Sequence, residues 1–132
     1  MTKVYAIFPF GDDGKYAGVY IGRADHLRNR ITTHLCAKEE GDTQVELHRL
    51  MRRNGFDLRV LETMSSCGED RWREYMWIKA FKEHSPLRMF NICTDYYASK
   101  TSGVSTSAWL RRKCGQEPKT HWTATISLQG RT

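Results

Sequence analysis

Apolar and polar positions alternate along the chain with two different periods, and the switches between them outline its elements. Val4, Ala6 and Phe8 alternate with Tyr5 and Ile7, a period of two that predicts a strand over residues 3–10. Gly11-Asp12-Asp13-Gly14 is turn chemistry, because glycine accepts positive φ and aspartate bonds to nearby backbone amides. Strand character resumes from Tyr16 to Gly22. A hairpin symmetric about Asp12-Asp13 sets Tyr5 directly opposite Tyr20, at a Cβ separation of about 5 Å. A turn centred on Asp13-Gly14 makes the pair diagonal. Either register lets the two phenols share one face.

The period then lengthens. Leu27, Ile31 and Leu35 recur every four residues, the apolar stripe of a helix, and Asp25 is a suitable N-cap for it. Arg30 and His34 have the same spacing and project from an adjoining face. Residues Cys36 to Asp42 are polar and end this element. Thr43-Gln44-Val45-Glu46 has the form of a capping box before a second helix, with Leu47, Leu50 and Met51 on its apolar side. Asn54-Gly55 supplies a left-handed stop. Phe56 to Glu62 alternates again and predicts a third strand, followed by a loop from Met64 to Asp70.

Arg71 to about Glu83 is helical, with Trp77, Ile78 and Phe81 on one stripe. Glu74 falls on the same stripe. An unpaired carboxylate is costly to bury, so Glu74 requires a partner: either Arg71 one turn earlier or a bound cation. Pro86 ends this region, and Met89-Phe90-Asn91-Ile92-Cys93 is a short apolar segment with one embedded amide. From Asp95 to Thr132 the chain turns Ser/Thr/Lys-rich, carrying six Lys and Arg against two Asp and Glu and an isolated Trp109-Leu110-Arg111-Arg112-Lys113 cluster. No internal repeat is found.

Charge adds a partner to this picture. Lys and Arg outnumber Asp and Glu by 21 to 15, a net charge of +6 that favours a polyanionic partner. A length of 132 residues fits one domain with a modest core. No apolar run approaches the ~18 residues of a membrane span, and Met1-Thr2-Lys3 leads directly into a strand, so a cytoplasmic protein without signal peptide is expected. The cysteines at 36, 67, 93 and 114 form no Cys-x-x-Cys pair, and free buried thiols are the expectation.

Taken in order, these motifs resemble the catalytic domain of GIY-YIG nucleases. Val4-Tyr5-Ala6 stands where that family has Gly-Ile-Tyr, with no glycine before the tyrosine, and Tyr20-Ile21-Gly22 matches its second motif outright. Arg30 and His34 follow Gly22 by eight and twelve residues, as in homing-type members. Leu47 to Glu62 is similar to the family's helix, Asn/His-Gly stop and strand. Glu74 with Trp77-Ile78 resembles its metal-ligand helix, and Phe90-Asn91-Ile92 its closing motif. The resemblance spans roughly residues 3–94.

The resemblance implies an α+β fold in which a small three-stranded antiparallel sheet is flanked by helices. It implies a catalytic domain over residues 1–94 and leaves residues 95–132 as a basic extension with an accessory DNA contact or as a poorly ordered tail. It further implies a divalent-metal-dependent endonuclease of the homing or mobile-element type acting on double-stranded DNA. The alternatives are a non-catalytic nucleic-acid-binding adaptor on the same fold, or a restriction or repair nuclease. The implied site residues are Tyr5, Tyr20, Arg30, His34, Glu74 and Asn91, with Glu74 holding one Mg²⁺ or Mn²⁺. In that scheme Tyr5 is the general base or water-orienting group. A phenol with pKa near 10 is only ~1% ionised at pH 8, so it needs help from Arg30, His34 and the cation. Arg30 would clamp phosphate through two parallel N–H bonds, Tyr20 would bond the phosphate or the attacking water, and Asn91 would orient the metal helix or bind phosphate.

Overall fold

The computed structural model describes residues 1–38, 42, 44–65, 70–91 and 105–114. Strand β1 (Thr2–Pro9) lies between β2 (Tyr20–Ala24) and β3 (Phe56–Met64), and both pairings are antiparallel. The expected three-stranded antiparallel sheet is therefore present. Nearly all of β1 is buried, because helices cover both faces of the sheet. Val4, Ala6 and Phe8, together with Ile21 of β2, pack against Trp77, Ile78 and Phe81 of α3 (Asp70–His84). Tyr5 and Ile7 face the opposite way, towards Leu47 and Met51 and the Leu27-Ile31-Leu35 stripe. Those residues belong to α1 (Leu27–Cys36) and α2 (Val45–Asn54). Alternate positions of one strand thus serve two cores, and Tyr5 is the polar member of the second.

The hairpin takes the diagonal register. At its tip the Gly14 amide donates to Gly11 O (3.1 Å), with Gly14 at φ +81°, and Phe10 bridges Tyr16. Ala17 N donates to Pro9 O, yet Ile7 faces Tyr20. Two steps along β1 therefore correspond to three along the return arm. The extra residue falls at Gly18-Val19, where Val19 leaves β1 and bonds outward: its amide donates to Arg88 O and its carbonyl accepts from Phe90 N, both at 2.9 Å. The consequence is that Tyr5 stands opposite Gly22, two pairs away from Tyr20 and on the same face of the sheet.

Helix ends differ from expectation in two places. The cap position of α1 is His26, and Asp25 instead accepts a hydrogen bond from the Thr2 hydroxyl at 2.5 Å. The cap position of α2 is Gln44, whose amide donates to the Asp42 carboxylate (2.8 Å); Thr43 lies outside the described residues. The stop after α2 is as expected: Gly55 has φ +80° and its amide closes on Met51 O (3.1 Å). Arg52 then donates to the carbonyls of Leu35 and Ala37, tying the end of α1 to α2.

A fourth helix, α4 (Thr106–Cys114), lies within the stretch expected as an extension. Its Trp109 and Leu110 are buried in the α3-side core, and the Trp109 ring meets the Trp72 and Trp77 rings edge-on, at 5.4 and 6.1 Å. Lys113 donates to Glu62 of β3 (2.8 Å). The hydrophobic core therefore continues past residue 94. Cys36 is exposed, unlike the buried thiol expected, because it follows Leu35 at the end of α1; Cys67 and Cys93 lie outside the described residues. Among the described residues no helix is long and apolar enough to cross a membrane.

Candidate active site

The strand β2 is one edge of the sheet, with α1 against one face and α3 against the other. Around this edge opens a polar cleft of about 330 Å³, lined among others by Tyr5, Tyr20, Gly22, Arg23, Arg30 and Glu74. Tyr5 reaches it from the central strand because its neighbour on β2 is glycine. A Cβ at Gly22 would overlap the Tyr5 phenol oxygen and lie 2.5 Å from Cζ. The glycine is required here by close approach, since no positive φ is recorded for it.

Four of the six expected site residues, Tyr5, Tyr20, Arg30 and Glu74, line this cleft, and His34 stands against the two phenols behind it. Tyr5 is 1% exposed, and its phenol oxygen lies 3.0 Å from His34 Nε2. The Tyr5 and Tyr20 rings are tilted with centroids 6.4 Å apart, and His34 meets the Tyr20 ring edge-on at 5.3 Å. Burial raises the Tyr5 pKa well above its ordinary value; the Tyr20 and Glu74 anions would add to this and Arg30 opposes it. Tyr20 is raised likewise, by burial and then Glu74, again against Arg30. His34 moves the other way, down to about 4, through burial first and then the neighbouring His48 and Arg30. At neutral pH both phenols therefore keep their protons and His34 is uncharged. The direction of the Tyr5–His34 bond is then set by which His34 nitrogen carries the single ring proton.

Arg30, exposed on α1, and Glu74, on α3, project into the cleft from opposite faces of the sheet. The Glu74 side chain is 26% exposed, less buried than its stripe position suggests, because it lies at the sheet edge. Its Oε2 is 3.8 Å from Nε of Arg23, a β2 residue. Both expected alternatives for that carboxylate, Arg71 and a cation, omitted this partner. Arg23 could be reached from the sequence only by knowing which helix crosses the β2 edge.

Asn91 is bonded to the backbone of β2. Its Nδ2 donates to Ile21 O (2.8 Å) and its Oδ1 accepts from Ile21 N (2.9 Å). With Val19 bonded to residues 88 and 90, the side-chain amide supplies the next rung along the outer edge of β2. Asn91 holds the strand that carries Tyr20 and Gly22, and it is not part of the cleft lining.

The sequence pattern missed two further residues. His34 Nδ1 lies 2.8 Å from His48 Nε2, and His48 Nδ1 lies 2.7 Å from Asp42 Oδ2. His48 is buried on the same side of α2 as Leu47 and Met51. A histidine three residues before Met51 was the available signal. Burial tends to raise the Asp42 carboxyl, but bonds from the Gln44 amide and His48, with Arg52 nearby, outweigh it and hold the group below its ordinary value.

Two phenols, a paired histidine, a cationic fork and a carboxylate around one polar cleft are the equipment of a phosphate-handling hydrolase. The family model described as the GIY-YIG catalytic domain matches residues 2–88. The chain belongs to the GIY-YIG family, a family of nucleases, and nucleic acid is the substrate class this implies. No curated protein and no solved structure matches the chain.

Proposed function

We propose that the protein is a divalent-metal-dependent endonuclease that hydrolyses phosphodiester bonds of double-stranded DNA, of the homing or mobile-element type. The observation that carries this reading is the convergence of Tyr5, Arg30 and Glu74 on one cleft. The net charge of +6 suits a polyanionic substrate, and the spacing of Arg30 and His34 after Gly22 supports the homing type.

Glu74 fits a hard cation. Among the described residues no group of three or more His, Cys, Asp or Glu side chains could hold a metal unaided. A single carboxylate at a polar cleft suits Mg²⁺ or Mn²⁺, which keep several waters and take further oxygens from phosphate. The ion, when bound, polarises a non-bridging oxygen and steadies the departing 3′ oxygen. The chain's own residues supply the rest. Arg30 presents two parallel N–H groups to the phosphate. Tyr20 donates its phenol proton to a phosphate oxygen or to the attacking water. Tyr5 accepts a proton from that water while its own proton passes to His34 Nε2, so a free phenolate is never required.

The test is incubation of supercoiled plasmid with the full chain, with Mg²⁺ or with a chelator. Nicked or linear product is expected only with metal. The Glu74→Gln variant should bind DNA but cut it slower by orders of magnitude. Binding without cleavage by the wild type under both conditions would leave only the adaptor reading.

A further inference from the structure

Tyr5 and His34 are the first two members of a longer hydrogen-bonded chain that runs Tyr5, His34, His48, Asp42, with contacts of 3.0, 2.8 and 2.7 Å. The chain leaves the cleft, crosses from β1 through α1 and ends at the start of α2. Both rings are buried, and the Asp42 side chain is only 5% exposed. Its geometry is held independently of the cleft: Gln44 N fixes Asp42, and Arg52 ties α1 to α2.

The polarity of this chain follows from its far end. An ionised carboxylate can only accept, so His48 carries its proton on Nδ1. In the neutral form of His48 this is its one N–H, so Nε2 presents a lone pair and accepts from His34 Nδ1–H. His34 Nε2 is then an acceptor as well, and the Tyr5 O–H donates to it. One carboxylate, three contacts away, thus orients every hydrogen of the chain towards itself.

We propose that His48, held by Asp42, is the terminal acceptor of the proton that Tyr5 removes from the attacking water. The inference rests on the hydrolytic reading of the cleft. One O–H bond of the water breaks and its electron pair forms the new P–O bond, while the proton goes to Tyr5 Oη. The Tyr5 proton moves to His34 Nε2, and the His34 Nδ1 proton moves to His48 Nε2. Tyr5 and His34 end neutral, and His48 ends as an imidazolium against the Asp42 carboxylate. After product leaves, the same three hops in reverse return the proton to water in the cleft. The departing 3′ oxygen takes its proton from solvent.

The surroundings explain why the charge does not stop at His34. That ring faces Arg30 on its own helix and the Tyr5 and Tyr20 phenols on the sheet, and it is pushed down to about 4. Of the two histidine rings, it is His48 that has a carboxylate in direct contact. Among the described residues, Arg52 is a further charged group that acts on Asp42. His48 never touches substrate. It is a positioning residue whose role is to receive and return a proton.

Two measurements test the relay. Proton–nitrogen correlation spectra of the histidine rings in the full chain at neutral pH should show both His34 and His48 protonated on Nδ1 and bare on Nε2. A His34 ring protonated on Nε2 overturns the relay without touching the nuclease reading. In single-turnover cleavage, His48→Gln keeps an acceptor for His34 and a donor for Asp42 but cannot hold the proton. DNA affinity should stay at the wild-type value while the rate falls about 100-fold, the lower end of what a positioned acid–base group contributes. The rise of rate with pH on the acid side should also disappear. Asp42→Asn removes the charge and leaves one oxygen where Gln44 N and His48 Nδ1 each have their own, so that rise should move to lower pH with a lower plateau. Wild-type rates and pH profiles in both variants overturn the relay. A wild-type chain that leaves DNA intact overturns the reading on which it rests.

Discussion

Gly22 lies opposite Tyr5 in the β1–β2 ladder, and the phenol of Tyr5 occupies the space where a side chain at Gly22 would begin. The approach is close enough that one methyl group forces Tyr5 to move. Tyr5 is fully buried, so the movement has a cost: inserting carbon into a packed site typically destabilises by about 1–3 kcal/mol. Gly22→Ala should therefore lower stability by that amount and break the 3.0 Å contact with His34. Cleavage should fall by more than ten-fold, beyond what the unfolded fraction explains. Measuring both on one preparation decides the point, because an unaltered rate would show that Tyr5 need not sit at this position.

Asn91 bonds both the N–H and the C=O of Ile21 through one amide. Asn91→Asp keeps the acceptor but turns the donor into a second acceptor facing a carbonyl. The loss should be about 1–3 kcal/mol at pH 7. Protonation of the introduced carboxyl restores the donor, so its folded-state pKa is raised above the unfolded value. The deficit relative to wild type should be smallest below pH ~4 and grow as pH rises. Urea titrations of both proteins at pH 4 and 7 measure it, and a pH-independent deficit would exclude the paired geometry.

His34 gives a pH dependence of opposite sign. Its pKa falls from an ordinary 6.5 to about 4 on folding, through burial first and then His48 and Arg30. Above pH 6.5 the ring is neutral in both states and its contribution is complete. Between pH 6.5 and about 4 the unfolded chain takes up a proton that the folded one refuses. That interval should remove about 3 kcal/mol of stability. Equilibrium unfolding of wild type and His34→Asn across pH 4–7 isolates the term. The variant should be less stable at pH 7 and flatter in its pH dependence; parallel curves would mean that His34 is not buried neutral.

The elements legible in the sequence are those written locally. The Leu27-Ile31-Leu35 stripe, the Gly55 stop and the alternation of β1 and β3 each depend on neighbours within a few residues. Tertiary partners set what was misread. The diagonal register follows from Val19 bonding to residues 88 and 90, and the Asp25 carboxylate is taken by Thr2 from another strand. Arg23 and Glu74 meet because α3 crosses the edge of β2, a fact with no sequence spacing. The His48–Asp42 end of the hydrogen-bond chain stayed hidden for the same reason: a buried histidine on an apolar helix side is visible as a pattern, but its partner in a polar loop is not.

Helix α4 shows the same limit and yields a stability prediction. A lone Trp-Leu pair in a Ser/Thr-rich stretch looks like an appendage, yet Trp109 fills the space against Trp72 and Trp77. Trp109→Ala should cost about 3–5 kcal/mol, the range for emptying a large aromatic site. Trp109 Nε1 is buried without a hydrogen-bond partner among the described residues. Trp109→Phe therefore forfeits no hydrogen bond and should cost less than about 2 kcal/mol. Urea unfolding followed by far-UV circular dichroism separates the two. A Trp109→Ala variant as stable as wild type would show that α4 adds nothing to the core.

The roles of Tyr5, Tyr20 and Arg30 separate in the chemical step. Tyr5 hands a proton to His34 in the transition state, so Tyr5→Phe should leave DNA affinity nearly intact while cleavage drops by about 100-fold or more. No external base replaces it easily, because the acceptor His34 is buried behind the ring. Tyr20 is partly exposed at the cleft and donates to the phosphate or the water. Tyr20→Phe should be impaired at neutral pH and partly recover at high pH, where hydroxide needs no orienting donor. Arg30→Lys keeps the charge but loses the two-pronged donor, so it should stay severely impaired at every pH and show weaker transition-state stabilisation than ground-state binding would suggest. Single-turnover cleavage of an end-labelled duplex across pH 6–9.5 compares all three. If Tyr20→Phe is inactive throughout while Tyr5→Phe cuts like wild type, the proton leaves through Tyr20 and the Tyr5–His34 contact is structural. If both phenylalanine variants cut normally, neither phenol takes part in the hydrolysis.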